Sequence, residues 1–255
     1  MAELLSDGDI AEFSQTLARG AGTLGINLAH PELHRLFYEL LTQENEKQNL
    51  TAIKGGKNSA LLHFTDSLAL LTQPELQSGT AGRRFLDVGS GAGFPGIPVA
   101  AEMPALEVVL LEPRAKRCAF LENCAAKLFA ESGREAKVQV LCGRAEELGR
   151  KPEYRESFDL VTARAVSDLR RLSELCLPFV AVGGVFFAMK SCDTDEELNE
   201  AENAIEVLGG KVRRITDLEL DAKESLKRRL VVIEKTVPTP QSYPRSYKKI
   251  ETRPL

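Results

Sequence analysis

Apolar residues recur at helical spacing in three stretches ahead of residue 80, over 10–24, 31–46 and 59–71; Leu33, Leu36, Phe37, Leu40 and Leu41 form one such stripe. Three helices are predicted there. Between the second and third, Asn49-Leu50-Thr51-Ala52-Ile53-Lys54-Gly55-Gly56 breaks the period and ends in glycines, which predicts a loop. From Arg83 the pattern changes to strand, glycine turn and helix in alternation. Short apolar, β-rich runs lie at 84–88, 106–112, 138–142, 158–163 and 184–189, with helical periodicity over 115–131 and 169–179. Nearly continuous apolar strands separated by helices predict a parallel sheet covered on both faces, because each parallel crossover needs a covering helix. The expected fold is α/β with a doubly wound, mostly parallel sheet.

After Lys190 the pattern closes differently. A helix is expected over 195–208, stopped by Gly209-Gly210, and then two strands over 211–220 and 229–235 form an antiparallel hairpin. From Thr236 the chain is proline-rich and basic, which predicts an extended arm with little core of its own. The chain thus divides into an N-terminal helical extension packed on the core (1–78), the core itself (79–236) and a basic C-terminal arm (237–255).

The first strand of the sheet runs straight into a glycine-rich turn, Asp87-Val88-Gly89-Ser90-Gly91-Ala92-Gly93-Phe94-Pro95-Gly96. Glycines at alternate positions let backbone approach a ligand without Cβ interference, and the N–H groups at the start of the next helix are expected to face the same space. Pro95 suits a first helical turn. The loop does not name its ligand. Asp87-x-Gly89-x-Gly91-x-Gly93 satisfies the motif of nucleotide-type methyl donors, Gly91-x-Gly93-x-x-Gly96 satisfies the dinucleotide fingerprint, and a tight turn without ligand uses the same residues.

In a doubly wound sheet, ligands lie beyond the carboxyl ends of the strands. Polar groups stand at four such ends: Asp87, Glu112, the run Gly143-Arg144-Ala145-Glu146-Glu147, and Arg164. Glu112 is placed to accept two hydrogen bonds from a ribose diol, which serves a nicotinamide dinucleotide and S-adenosylmethionine equally. His63 and Asp66, three apart on one helix, can meet as a structural pair or line a pocket.

Composition narrows the picture only a little. No apolar run approaches the roughly 20 residues that span a bilayer, and the first residues are acidic where a secretory signal is basic, so a cytoplasmic protein without membrane contact is expected. The five cysteines lack C-x-x-C spacing and read as small buried hydrophobes; Cys118, beside Arg117, comes nearest to a reactive setting. No metal site is expected. A net charge of −4 argues against a protein that coats nucleic acid indiscriminately, yet local basic clusters occur at 223–229 and around Arg245, Lys248 and Lys249.

The run Phe85-Leu86-Asp87-Val88-Gly89-Ser90-Gly91-Ala92-Gly93-Phe94-Pro95-Gly96-Ile97-Pro98 resembles the signature of the RsmG family, also called glucose-inhibited division protein B. Further matching motifs are Asn49-Leu50-Thr51-Ala52-Ile53, His63-Phe64-Thr65-Asp66-Ser67-Leu68, Leu111-Glu112-Pro113-Arg114-Ala115-Lys116-Arg117, Gly143-Arg144-Ala145-Glu146-Glu147 and Thr162-Ala163-Arg164-Ala165. The resemblance implies a Rossmann-like fold of the class I methyltransferase type. It also implies S-adenosyl-L-methionine as cofactor and methylation of guanine N7 in small-subunit (16S) ribosomal RNA.

Carried onto this chain, the family's cofactor contacts fall on Gly89, Phe94, Ala145, Glu146 and Arg164, beside Gly91, Gly93 and Glu112 from the loop and second strand. Arg164 is also the candidate for positioning at the reaction centre. Arg144, Arg245, Lys248 and Lys249 are the candidates for contact with RNA or the small ribosomal subunit, and the chain is expected to act as a monomer. The tail keeps Tyr243-Pro244-Arg245 but lacks the glycine of the family's run, and the charged stretch 148–157 has no assigned role.

Guanine N7 carries an in-plane lone pair that is unprotonated at neutral pH, so direct in-line attack needs no general base. N7 faces the deep, narrow major groove of A-form RNA, so the target is expected in a loop, a bulge or a flipped nucleotide. Two other readings stay open on the residues: a nicotinamide-dependent oxidoreductase, and a non-catalytic ribosome-assembly factor that binds RNA.

Overall fold

A computed structural model of the chain describes residues 5–77, 79–130, 136–164, 167–192, 194–221 and 223–255. The strands are β1 (Arg84–Val88), β2 (Glu107–Glu112), β3 (Lys137–Cys142), β4 (Phe158–Arg164), β5 (Val180–Lys190), β6 (Gly210–Asp221) and β7 (Leu226–Lys235). Among the described residues the helices are α1 (Asp7–Thr23), α2 (Pro31–Gln48), α3 (Gly56–Ser59), α4 (Asp66–Leu68), α5 (Pro74–Gln77), α6 (Gly96–Glu102), α7 (Ala115–Ala125), α8 (Ala145–Leu148), α9 (Leu169–Cys176), α10 (Asp195–Val207) and α11 (Tyr247–Thr252). A π-helical segment, Ala60–Thr65, joins α3 to α4, and another, Ala126–Ala130, extends α7; the predicted end of that helix at Glu131 lies outside the described residues.

The sheet order is β3-β2-β1-β4-β5-β7-β6. β1 to β5 run parallel, and β7 is antiparallel to both β5 and β6, so the expected doubly wound sheet with a terminal hairpin is what forms. Strand order reverses between β1 and β4, which opens a crevice above their carboxyl ends.

The two faces carry separate cores. On one, Phe13, Phe37, Tyr38 and Phe64 from the N-terminal helices pack with Phe94, Ile97, Leu121 and the inward residues of the strands. On the other, Leu172, Phe179, Ile205 and Ile250 from the later helical segments cover Val161, Phe186 and Ile233. The N-terminal helices are therefore built into one layer over the sheet.

Three expectations need correction. β3 is an edge strand with alternating exposure, not a run buried on both faces, and it leaves Cys142 exposed; Cys192 is also partly exposed, so only Cys118, Cys124 and Cys176 are buried thiols. The tail is no loose arm, since it ends in α11, whose Ile250 is fully buried in the second core. The charged stretch 148–157 holds it there: Arg155 donates to the carbonyls of Thr239 and Tyr243.

Arg245, expected on the RNA side, is committed elsewhere. Its Nε and Nη2 donate to the two carboxylate oxygens of fully buried Glu174 at 2.9 and 2.6 Å, and its backbone N–H adds a third bond. Removing one partner of a buried ion pair leaves the other uncompensated. Arg245→Ala is therefore expected to lower stability by about 2–4 kcal/mol. Chemical denaturation measures this.

Candidate active site

The glycine turn closes largely on itself. Gly89, Gly91 and Gly93 all take positive φ (75°, 58° and 100°), the conformation that reserves these positions for glycine. Gly91 N–H donates to Glu112 Oε2 at 3.0 Å, and Arg114 N–H donates to Glu112 Oε1 at 3.0 Å. Gly143, just before Arg144, donates its N–H to the Glu112 carbonyl at 3.1 Å. Glu112 thus ties the ends of β1, β2 and β3 together. It is only 3% exposed, and each carboxylate oxygen keeps a second lone pair for a ligand hydroxyl.

The helix start after the turn does not offer its amide as expected. Gly96 N–H donates to Asp87 Oδ2 at 2.9 Å, and the other oxygen, Oδ1, is buried without a partner. Burial pushes the Asp87 carboxyl up to about 7, against the pull of the Gly96 N–H, Ser90 and Arg164. A carboxylate seated on the first turn of α6 blocks the position where a dinucleotide's pyrophosphate would bind. S-adenosylmethionine has no pyrophosphate to seat, and its one carboxylate is outweighed by its own ammonium and sulfonium charges. The residues present therefore fit S-adenosylmethionine, and they leave a dinucleotide's pyrophosphate without the Gly96 amide.

At the end of β4 stands Arg164, whose side chain is 14% exposed. Its Nη1 donates to Leu62 O at 2.9 Å and to Asp66 Oδ2 at 3.0 Å, and its Nη2 lies 3.0 Å from His63 Nδ1. Its guanidinium carbon sits 5.2 Å from the centre of the Phe94 ring. His63 and Asp66 are thus joined through Arg164. The Phe94 ring is buried against Phe37, Phe64 and His63, and it stacks on His63 at 4.4 Å and 9°, so it packs under the site instead of facing it. Ala165 of the same motif lies outside the described residues.

His63 Nδ1 accepts from a guanidinium, so its proton sits on Nε2, which donates to Thr51 Oγ1 at 2.8 Å. Burial, with Arg164 beside it, lowers the imidazole pKa to about 3. His63 is a neutral, fully used acceptor and carries no proton in catalysis. The folded state refuses a proton that the unfolded chain takes up at its ordinary pKa, 6.5. This contribution is complete above pH 6.5 and lost as pH falls toward 3. Urea titrations should show the stability advantage over a non-titrating His63→Gln variant shrinking by about 1.4 kcal/mol per pH unit through that window.

Arg164, His63 and Asp66 line a cleft of about 470 Å³ together with Ile53, Met189, Lys190, Glu197 and Arg228. It opens above the ends of β4 and β5, and Arg164 links it to Phe94 of the glycine turn. Sequence reasoning missed Lys190 and Arg228; the end of β5 was the one signal that pointed to Lys190. Of the remaining candidates, Glu146 is buried at the start of α8 with Ala145 partly covered, and Arg144 is exposed beside it, 3.8 Å from Glu146. Lys248 and Lys249 are exposed on α11 and do not line the cleft. Cys118 donates its thiol to Glu112 O, and burial pushes its pKa up to about 12, so it is no nucleophile.

A family profile described as GidB, rRNA small subunit methyltransferase G, matches residues 31–228. The chain belongs to the rRNA small subunit methyltransferase G family. Curated members with that name include one from Pelotomaculum thermopropionicum, 38% identical over 244 residues, covering 95% of this chain and 98% of the relative. Another, from Symbiobacterium thermophilum, is 40% identical over 240 residues, covering 93% and 96%. Among solved structures, TrmN from Thermus thermophilus aligns with a TM-score of 0.50 at 20% identity, over 76% of this chain and 53% of that one, a likeness of fold alone. The motifs that mark the rRNA small subunit methyltransferase G resemblance are the ones that build this site: the glycine turn, Glu112 and the trio of His63, Asp66 and Arg164. Among the described residues no helix is long and apolar enough to cross a membrane, and no cluster of three or more His, Cys, Asp or Glu could hold a metal ion.

Proposed function

We propose that the chain methylates N7 of a guanosine in small-subunit ribosomal RNA, with S-adenosyl-L-methionine as methyl donor. The observation that carries this reading is that the family's motifs converge at the strand ends: the glycine turn is pinned to the Glu112 carboxylate, and Arg164, against Phe94 of that turn, walls an open cleft. Glu112 holds the ribose diol, the turn from Gly89 to Gly93 lies against the donor, and Ala145 and Glu146 border its base. Phe94 supports the turn from beneath.

When bound, S-adenosylmethionine supplies an electrophilic methyl group on a cationic sulfur. The acceptor N7 presents an in-plane lone pair without a proton, so no side chain has to act as base, in keeping with the neutral, fully hydrogen-bonded His63. The protein's contribution is to hold the acceptor in line, and the nucleotide that enters displaces the water from the cleft. Arg164 is the positioning residue at the edge of the cleft, against Phe94 of the turn. Exposed Arg144 contacts RNA phosphate, and Lys248 and Lys249 are further candidates on α11. The guanosine must be extruded or unpaired to reach the cleft, and the chain acts as a monomer on this reading.

The test is to incubate the protein with labelled S-adenosylmethionine and unmethylated small-subunit RNA or particles and to digest the product to nucleosides. Label in N7-methylguanosine is the expected result. No transfer in any assembly state overturns the reading, and binding of NADH in place of S-adenosylhomocysteine would revive the oxidoreductase alternative.

A further inference from the structure

At the floor of the cleft lies an acid that the reaction as described does not use. Asp66 is 3% exposed, and its two oxygens are divided between two arginines that are 98 and 162 residues away in sequence. Oδ2 accepts from Arg164 Nη1 and Oδ1 accepts from Arg228 Nε, each at 3.0 Å. One arginine comes from the end of β4, the other from the start of β7. Two guanidiniums facing one small cleft would repel each other and sample many rotamers. A buried carboxylate between them cancels one charge and fixes both side chains.

The two arginines are held in different ways. Arg164 spends both terminal nitrogens on Leu62 O, Asp66 and His63. Arg228 meets Asp66 through Nε, and Nη1 donates to the Lys227 carbonyl, while Nη2 has no partner among the described residues. Side-chain relative exposure is 25% for Arg228 and 14% for Arg164, so Arg228 is the more open to an incoming group. A donor held by its inner nitrogen, with an outer one uncommitted at a cleft wall, is arranged to meet an oxygen acceptor on whatever enters.

We infer that Asp66 is a positioning residue for the acceptor nucleotide, aiming Arg228 into the cleft and locking Arg164 at its edge. This rests on the methyltransferase reading above. Preset donors spare the loss of side-chain freedom on binding, and displacement of a positioning group by about 1 Å can cost up to about 100-fold in rate.

The experiment uses full-length protein, labelled S-adenosylmethionine and unmethylated small-subunit particles, with Asp66→Asn, Asp66→Glu, Arg228→Gln and the double variant Asp66→Asn/Arg228→Gln. The wild type must transfer methyl to guanine; if it transfers none, the methyltransferase reading itself fails and takes this inference with it. Given wild-type transfer, Asp66→Asn is expected to lower kcat by about 10- to 100-fold, with the affinity for S-adenosylhomocysteine within twofold of wild type. Adding Arg228→Gln to Asp66→Asn should cost far less than Arg228→Gln costs alone, because the two act as one unit.

Asp66→Glu guards against a loss that is only one of folding. It keeps the charge but shifts the carboxylate by one methylene, so it should lose less in melting temperature than Asp66→Asn and still lose at least about tenfold in kcat, assayed where the variant is fully folded. Full activity in Asp66→Glu, additive effects in the double variant, or an Asp66→Asn loss that follows donor affinity would each overturn the inference.

Discussion

Arg164→Ala is expected to abolish methyl transfer and to lower stability at the same time. The side chain supplies donors to Leu62 O, Asp66 Oδ2 and His63 Nδ1 and covers the Phe94 ring. Alanine leaves those acceptors partly or wholly without donors in a site where Asp66 and His63 are buried, and it removes a cation–π contact. A loss of about 3–5 kcal/mol follows from breaking a buried pair on one side, tempered because Asp66 keeps Arg228. Activity should fall by at least about 1,000-fold, since a positioning group and the shape of the cleft go together. Assays must be run at a temperature where the variant remains folded. Arg164→Lys separates the effects: it restores part of the stability through charge, yet it cannot span three acceptors and stays inactive. An active lysine variant would show that charge alone suffices there.

Glu112→Gln acts on the other half of the site. The carboxylate accepts N–H groups from Gly91 and Arg114 on separate oxygens. Glutamine must turn its NH₂ toward one of those donors, so one backbone bond becomes a repulsion and the glycine turn loosens. The acceptor pair proposed for the ribose diol is lost with it. Affinity for S-adenosylhomocysteine is expected to weaken by at least about 100-fold, or roughly 3 kcal/mol, when measured by calorimetry. The melting temperature should fall only modestly, because β2 itself stays buried. Undiminished binding would remove Glu112 from the donor seat.

Much of this site could be read before any coordinates, for identifiable reasons. The glycine turn and Glu112 are local signals: the strand, the turn and the acid at the next strand end lie within thirty residues and follow from periodicity. Arg228 could not be found that way. It sits in Leu226-Lys227-Arg228-Arg229, which looks like a solvated charge run, and only strand alternation sends Arg228 to Asp66 and Arg229 to Asp217 on opposite faces. Arg245 misled for the mirror-image reason. Its partner Glu174 lies 71 residues upstream on an amphipathic helix, where an acid normally faces water. The amide at the start of α6 is withheld from the ligand side because Asp87, nine residues earlier, turns its carboxylate back onto it, a contact that periodicity and spacing do not reveal.

The stack of His63 on Phe94 has a wider consequence. It clamps the glycine turn directly to the wall of the cleft, and Phe37 and Phe64 fill in behind it. With the two halves of the site welded into one block, little hinge remains for a jaw-like closure around the nucleotide. On the proposed reading, the shape change that brings base and methyl group together falls on the RNA, and the choice of guanosine is expected to follow how readily each position swings outward.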